Sequence, residues 1–174
     1  MTVGTGSELQ YLLDRQAIED VLKRYARGVD RHDEDIMRSV FHEDAIDNHG
    51  PFVGGREIFP GWVNDLHAGK TRAHSHNITC HSCEIDGDTA WTETYVAFVL
   101  YLSASDKVMF GSGRYVDRFE KRNGEWRIAL RRTMTDSRFE GDSSVFDQPD
   151  RTPRGRWDRS DISYDELAEK EGSA

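Results

Sequence analysis

Asp86-Gly87-Asp88-Thr89-Ala90-Trp91-Thr92-Glu93-Thr94-Tyr95-Val96-Ala97-Phe98-Val99-Leu100-Tyr101 carries the plainest strand signal of the sequence. An Asp-Gly pair followed by a run of β-branched and aromatic residues is the signal of a hairpin turn leading into a strand. Successive strand side chains point to opposite faces. Thr92, Thr94, Val96, Phe98 and Leu100 therefore share one face, and Trp91, Tyr95, Ala97, Val99 and Tyr101 the other. Both faces are apolar, so one covers a core and the second needs a cover of its own. That predicts a homo-oligomer built on this sheet.

Working outward, strand-like segments are expected at about 71–85, 89–104, 107–121 and 126–138, with a second hairpin signal at Asn123-Gly124. Toward the N-terminus the period changes. Ser7-Glu8-Leu9-Gln10 has the form of a capping box. Leu9, Leu12, Leu13, Ile18, Val21, Leu22, Tyr25, Ala26 and Val29 follow at helical spacings. The stripe predicts a helix to about residue 28, where Gly28 loosens it. Asp33 is placed to cap a short second helix carrying Ile36, Met37, Val40 and Phe41. A strand at 44–49, turns at Gly50-Pro51 and Gly54-Gly55, and a third helix over about 56–67 complete the first half. Pro60 near the start of that helix costs little, because the first N–H groups have no helical partner. Helices first and an antiparallel meander second give an α+β fold, with helices packed on one face of a curved sheet and a concave mouth suited to a small molecule. The domain is expected over 1–140. A polar, partly ordered C-terminal tail is expected over 141–174, ending in a short helix near 164–170.

Composition excludes several partners. The chain has 174 residues, the size of one domain, and a net charge of −9 that repels a phosphate backbone, so no nucleic acid is expected. Arg151, Arg154, Arg156 and Arg159 alternate with Asp in the tail and read as a solvated surface. No apolar run approaches the roughly 18–20 residues that cross a bilayer. The opening MTVGTGSELQ lacks a basic segment followed by an apolar one, so the expected location is cytoplasmic, away from membranes. Cys80 and Cys83 flank His81 in a CxxC spacing. A zinc site needs about four ligands, a second CxxC is missing, and strand residues three apart face opposite ways. Reduced cysteines and no metal are expected; by the same parity His81 faces away from His74 and His76.

Asp30 is the acid that stands out. Near the C-terminal end of a helix the dipole disfavours a carboxylate, so Asp30 is either a cap before the second helix or an acid awaiting a donor. Seven histidines are available as partners, and spacing alone does not choose among them.

Further motifs carry a resemblance. Arg15-Gln16-Ala17-Ile18 and Tyr25-Ala26-Arg27-Gly28-Val29-Asp30, then Phe41-His42-Glu43-Asp44-Ala45, Asp86-Gly87-Asp88-Thr89-Ala90 and Gly124-Glu125-Trp126-Arg127-Ile128, resemble in order and spacing the SnoaL-like proteins of the NTF2-like superfamily. The resemblance covers about residues 8–138 and implies a cone-shaped α+β barrel closed by N-terminal helices. The family's enzymes include scytalone dehydratase, hexachlorocyclohexane dehydrochlorinase, bile acid 7α-dehydratase, polyketide cyclases and ketosteroid isomerase. In several, an aspartate ending the first helix works with a histidine of the first long strand. Those positions are Asp30 and His76 here, which the resemblance makes the catalytic pair.

The resemblance further implies Tyr25, five residues before Asp30, and Arg131 as electrophilic helpers. His74, Phe52, Val96, Phe98 and Thr133 are the expected pocket lining. An inward Arg131 requires an acid or a substrate oxygen, because an unpaired buried charge is costly. Cys80 departs from the asparagine that many members carry four residues after the histidine. The implied activity is a cofactor-free lyase acting by proton abstraction on a small hydrophobic, cyclic or aromatic substrate. The alternatives are an isomerase or cyclase using the same pair, or a non-catalytic module like the small subunit of ring-hydroxylating dioxygenases. Trimers occur among the dehydratases, so a homotrimer is favoured over a dimer.

Overall fold

The computed structural model describes residues 5–145 and 154–165. Helix α1 spans Thr5–Arg31 and buries Ile18, Val21, Leu22, Tyr25, Ala26 and Val29, the predicted stripe, against the sheet. Burying each of the larger ones contributes about 1.5–3 kcal/mol. Leu9, Leu12 and Leu13 continue the stripe in sequence but are exposed, because the first turns of α1 lie outside the core. The helix also passes Gly28. A Cβ there would meet Met37 Cγ at 2.9 Å, so the glycine serves close approach of the next helix rather than loosening its own.

Two bonds close the end of α1, Asp33 N–H to the Gly28 carbonyl (2.9 Å) and His32 N–H to the Val29 carbonyl (3.3 Å). This is a Schellman cap, and His32 fills its left-handed position with φ of 52°. Asp33 then caps α2 (Glu34–Ser39), its carboxylate accepting the Ile36 N–H at 3.1 Å, as predicted.

Strand β1 is Phe41–Asn48 and β2 the two residues Val53–Gly54; helix α3 is Phe59–Lys70, three residues later than expected, with Pro60 in its first turn. The meander follows as β3 (Thr71–Asp86), β4 (Thr89–Leu102), β5 (Lys107–Arg122) and β6 (Glu125–Asp142). Asn123 and Gly124 both adopt positive φ, 54° and 84°, as the tight hairpin between β5 and β6 requires.

The sheet order is β2-β1-β6-β5-β4-β3. The meander is antiparallel as expected, whereas β1 joins β6 in parallel, making the sheet mixed. It is curved and remains open, with β2 and β3 at its edges, and α1 packs along β3. Bulges between Ile78 and His81, Ser112 and Gly113, and Arg118 and Phe119 contribute to that curvature.

The bulge in β3 corrects the parity argument. It sets His81 opposite Thr94, so His81 turns inward and its Nδ1 lies 2.9 Å from the Thr94 hydroxyl. Cys83 is buried and Cys80 exposed, both reduced.

Beyond β6 comes one 3-10 turn, Ser143–Val145. Residues 154–165 return to the end of α1, and 162–165 are helical. The remainder of the predicted terminal helix lies outside the described residues. No helix of the described residues is long and apolar enough to cross a membrane.

Candidate active site

Because β3 is an edge strand, N–H groups on its outer side have no neighbouring strand to pair with. Two side chains of α1 supply partners along that edge. Arg15 donates to the Cys83 carbonyl at 2.7 Å, near the start of the helix. Near its end, Asp30 accepts the backbone N–H of His76 on both carboxylate oxygens, at 3.1 and 2.9 Å.

The same carboxylate meets the ring: His76 Nδ1 lies 2.8 Å from Asp30 Oδ1. Nδ1 is therefore the protonated nitrogen, since its partner only accepts. In the neutral ring the lone pair is then on Nε2, which no hydrogen bond among the described residues engages. The two side chains keep 15% and 13% exposure, enough for a small molecule to touch them. An imidazole whose tautomer is fixed by a carboxylate is arranged to accept a proton and to be stabilised when it does.

The His67 and His74 rings lie 5.5 and 5.8 Å from that of His76. The Phe98 ring is 6.3 Å from that of His76. Phe98 lies flat over Gly111, where a Cβ would meet Phe98 Cζ at 2.3 Å. Val96 is buried two residues along β4 from Phe98, and Phe52 stacks on Trp62 with centroids 4.8 Å apart. Thr133 shares His49 Nδ1 (3.1 Å) with Asp47 (3.0 Å).

Arg131 faces inward, as parity allowed, and takes the acid alternative. It forms two bonds to Asp117, at 2.9 and 2.7 Å, and both side chains are wholly buried. Its guanidinium lies between the Tyr25 and Tyr115 rings, 4.0 and 4.2 Å from their centroids. Burial alone would favour loss of its proton, but Asp117 beside it more than offsets that and holds the group above its ordinary value. Arg132 is exposed. Tyr25 is buried among Phe41, Phe59 and Tyr115, and burial pushes its hydroxyl well above the ordinary tyrosine range. Both expected helpers are thus core residues, and no hydrogen bond among the described residues joins either to Asp30 or His76.

His74 has its side chain fully buried, with Nε2 3.9 Å from Asp30 Oδ1 and 3.3 Å from the Val29 carbonyl. Three residues that the sequence reading passed over enclose it. The His67 ring of α3 is 4.1 Å away, the His32 ring 5.2 Å, and the Trp157 ring 5.1 Å. His67 was legible: Phe59, Val63 and His67 repeat every four residues and form the buried face of α3. His32 and Trp157 were not, because one depends on the cap and the other on a segment distant in sequence.

The sequence matches the SnoaL-like domain model over residues 10–132. No curated protein matches it significantly. Among solved structures, hexachlorocyclohexane dehydrochlorinase LinA-type3 from Novosphingobium barchaimii LL02 is 20% identical with a TM-score of 0.72, covering 84% of this chain and 99% of that one. A protein from Novosphingobium aromaticivorans DSM 12444, described as a candidate scytalone dehydratase, is 20% identical with a TM-score of 0.67, covering 74% and 88%. A variant of Rv3472, a Mycobacterium tuberculosis protein of unknown function, is 28% identical with a TM-score of 0.66, covering 78% of each chain. At such identities the first two establish a shared fold, and the domain match spans most of the body that carries Asp30 and His76. The chain belongs to the SnoaL-like domain family of the NTF2-like superfamily.

Proposed function

We propose that the protein is a cofactor-independent lyase in which His76 removes a proton from carbon. The observation that carries this reading is the 2.8 Å contact between His76 Nδ1 and Asp30. His76 Nε2 takes the proton from a carbon adjacent to one bearing a leaving group. The C–H electron pair becomes the new double bond, and the leaving group departs with its own bonding pair. Asp30 fixes the tautomer and stabilises the imidazolium; no step is assigned to a redox group. Arg131, its charge balanced by Asp117, and Tyr25 are buried core residues that hold the fold around the site and do not contact substrate in this reading. Phe98, Val96, Phe52 and Trp62 favour a small hydrophobic, cyclic or aromatic substrate. The likeness to a dehydrochlorinase and a candidate scytalone dehydratase agrees with elimination as the reaction class.

The chain works, in this reading, as a homotrimer. Trp91, Tyr95, Val116 and Met134 stand exposed on the outer face of the sheet, where a second copy would cover them.

The test is a panel of small cyclic halides, alcohols and ketones incubated in deuterated water, with mass spectra of the recovered compounds. Elimination removes the mass of the leaving group, whereas isomerisation leaves mass unchanged except for deuterium uptake. For a compound that turns over, His76→Ala is expected to lower the rate by about 10²–10⁴-fold. Equal rates for wild type and His76→Ala would remove His76 as the base.

A further inference from the structure

His32, His67 and His74 come from three different elements, the end of α1, α3 and β3, yet one ring nitrogen from each lies within 4.8 Å of those of the other two. Two of these side chains carry a buried nitrogen, His32 Nε2 and His67 Nδ1, that has no hydrogen-bond partner among the described residues. Unpaired buried polar atoms are rare in folded proteins and call for an explanation. Both ring nitrogens of His74 have contacts that orient the imidazole, Nε2 3.3 Å from the Val29 carbonyl and Nδ1 3.5 Å from the Thr71 hydroxyl.

His32 adds a second, independent sign. It occupies the left-handed cap position at φ of 52°, where glycine is the usual residue. The chain accepts a strained backbone here, and what it gains is an imidazole stacked against His74 and His67, with ring centroids 5.2 and 6.1 Å away and planes within 22° and 29°. Trp157 then lies over His32 at 4.4 Å and covers the group from solvent. The segment carrying it is fastened by Arg31 to Asp161 (3.2 Å), Tyr164 to Asp33 (2.7 Å) and Arg27 to Ser163 (3.1 Å).

We propose that His32, His67 and His74 form a three-imidazole site for a divalent transition cation of the Zn²⁺ class. Three nitrogen donors with no protein carboxylate in the set suit Zn²⁺, Co²⁺, Ni²⁺ or Cu²⁺, and are a poor match for Mg²⁺ or Ca²⁺, which take oxygen. Ligation needs the neutral imidazole, the form that burial of His67 and His74 favours. An imidazole ligates in its ring plane, so zinc–nitrogen bonds of about 2.0–2.1 Å require His32 to turn out of its stack on His74 and His67 when the ion binds. The ion clamps the ends of α1 and α3 against β3. Asp30 and His76 each lie two residues from a ligand, so the clamp stiffens the pair without taking part in proton transfer. The site does not depend on the lyase reading.

The experiment uses the tag-free, full-length chain, stripped with chelator and titrated with Zn²⁺ or Co²⁺ alone. One equivalent is expected to bind, with a rise in Tm and a Co²⁺ spectrum of intense d–d bands; Mg²⁺ should do neither. His32→Gly is the key variant, because glycine suits the cap and the apoprotein should fold at least as well. It is expected to bind Zn²⁺ at least about 100-fold more weakly, while His76→Ala binds as wild type does. Binding by wild type no tighter than by His32→Gly would overturn the proposal. So would loss of binding in His76→Ala with retention in His32→Gly, which would move the ion to Asp30, His74 and His76.

Discussion

Asp30 holds His76 by backbone and side chain at once, at 2.9 and 2.8 Å, so the strand edge and the imidazole are fixed by one carboxylate. A merely structural cap would need the first contact alone, and a merely polar pair the second.

The two roles separate by substitution. Asp30→Asn keeps an oxygen for the His76 N–H, so Tm should fall only slightly while turnover falls by about 10²–10⁴-fold. Asp30→Ala removes both, leaving an edge N–H without a partner, and should also cost about 1–3 kcal/mol of stability. Thermal melts beside initial rates check this; equal stability losses for the two variants would contradict the double role.

Glycines of β5 give a prediction about packing. A Cβ on Gly113 would lie 2.1 Å from the Met134 carbonyl oxygen, which cannot move without breaking the sheet. Gly113→Ala should destabilise by about 1–3 kcal/mol or more. At Gly111 the obstacle is the Phe98 ring, which can turn away. Gly111→Ala should therefore cost less in stability and raise KM, as Phe98 leaves its place beside His76. Denaturant unfolding and steady-state kinetics distinguish the two.

Acid should release the returning segment before the body unfolds. The Asp161 carboxyl is held below its ordinary value of 3.8 by the Ser163 hydroxyl first and the Arg156 N–H next, against burial. A depressed carboxylate contributes stability that is present above the unfolded value and lost as pH falls through the folded one. Trp157 emission, read as wild type minus Trp157→Phe, should stay constant above about pH 5 and change below about pH 3.8. Asp161→Asn should show the released signal at every pH. An unchanged signal in that variant would mean that Asp161 does not hold the segment.

How much of this was legible depends on whether the signal was local. Asp33 as a cap, Pro60 in a first turn and Asn123-Gly124 as a hairpin are decided by neighbours in sequence, and each stands where expected. Register was less so: an extra residue between Ile78 and His81 reverses the parity of everything after it, and no turn residue marks it. Asp30 and His76 are 46 residues apart, and only family resemblance joined them. Arg131 was seen to need an acid, but Asp117, opposite it on β5, could not be chosen before the pairing was known. Trp157 lay in a stretch read by its charges as solvated surface, and its aromatic ring went unweighed.

The outer sheet face predicts assembly. Trp91, Tyr95, Val116 and Met134 are all exposed, around the Arg114 pairs with Glu93 and Asp136. Sedimentation equilibrium should give three times the chain mass, and Tyr95→Glu should give the monomer with the Asp30–His76 contact retained. A wild-type monomer at micromolar concentration would refute the trimer.

In the proposed reaction Asp30 fixes His76 as the Nδ1–H tautomer and leaves Nε2 as the base. Long-range ¹⁵N–¹H correlation of the imidazoles measures this without a substrate. The predicted result is a neutral His76 with Nδ1 protonated and Nε2 bare, mixed or reversed in Asp30→Ala. A wild-type His76 protonated on Nε2 would contradict the account.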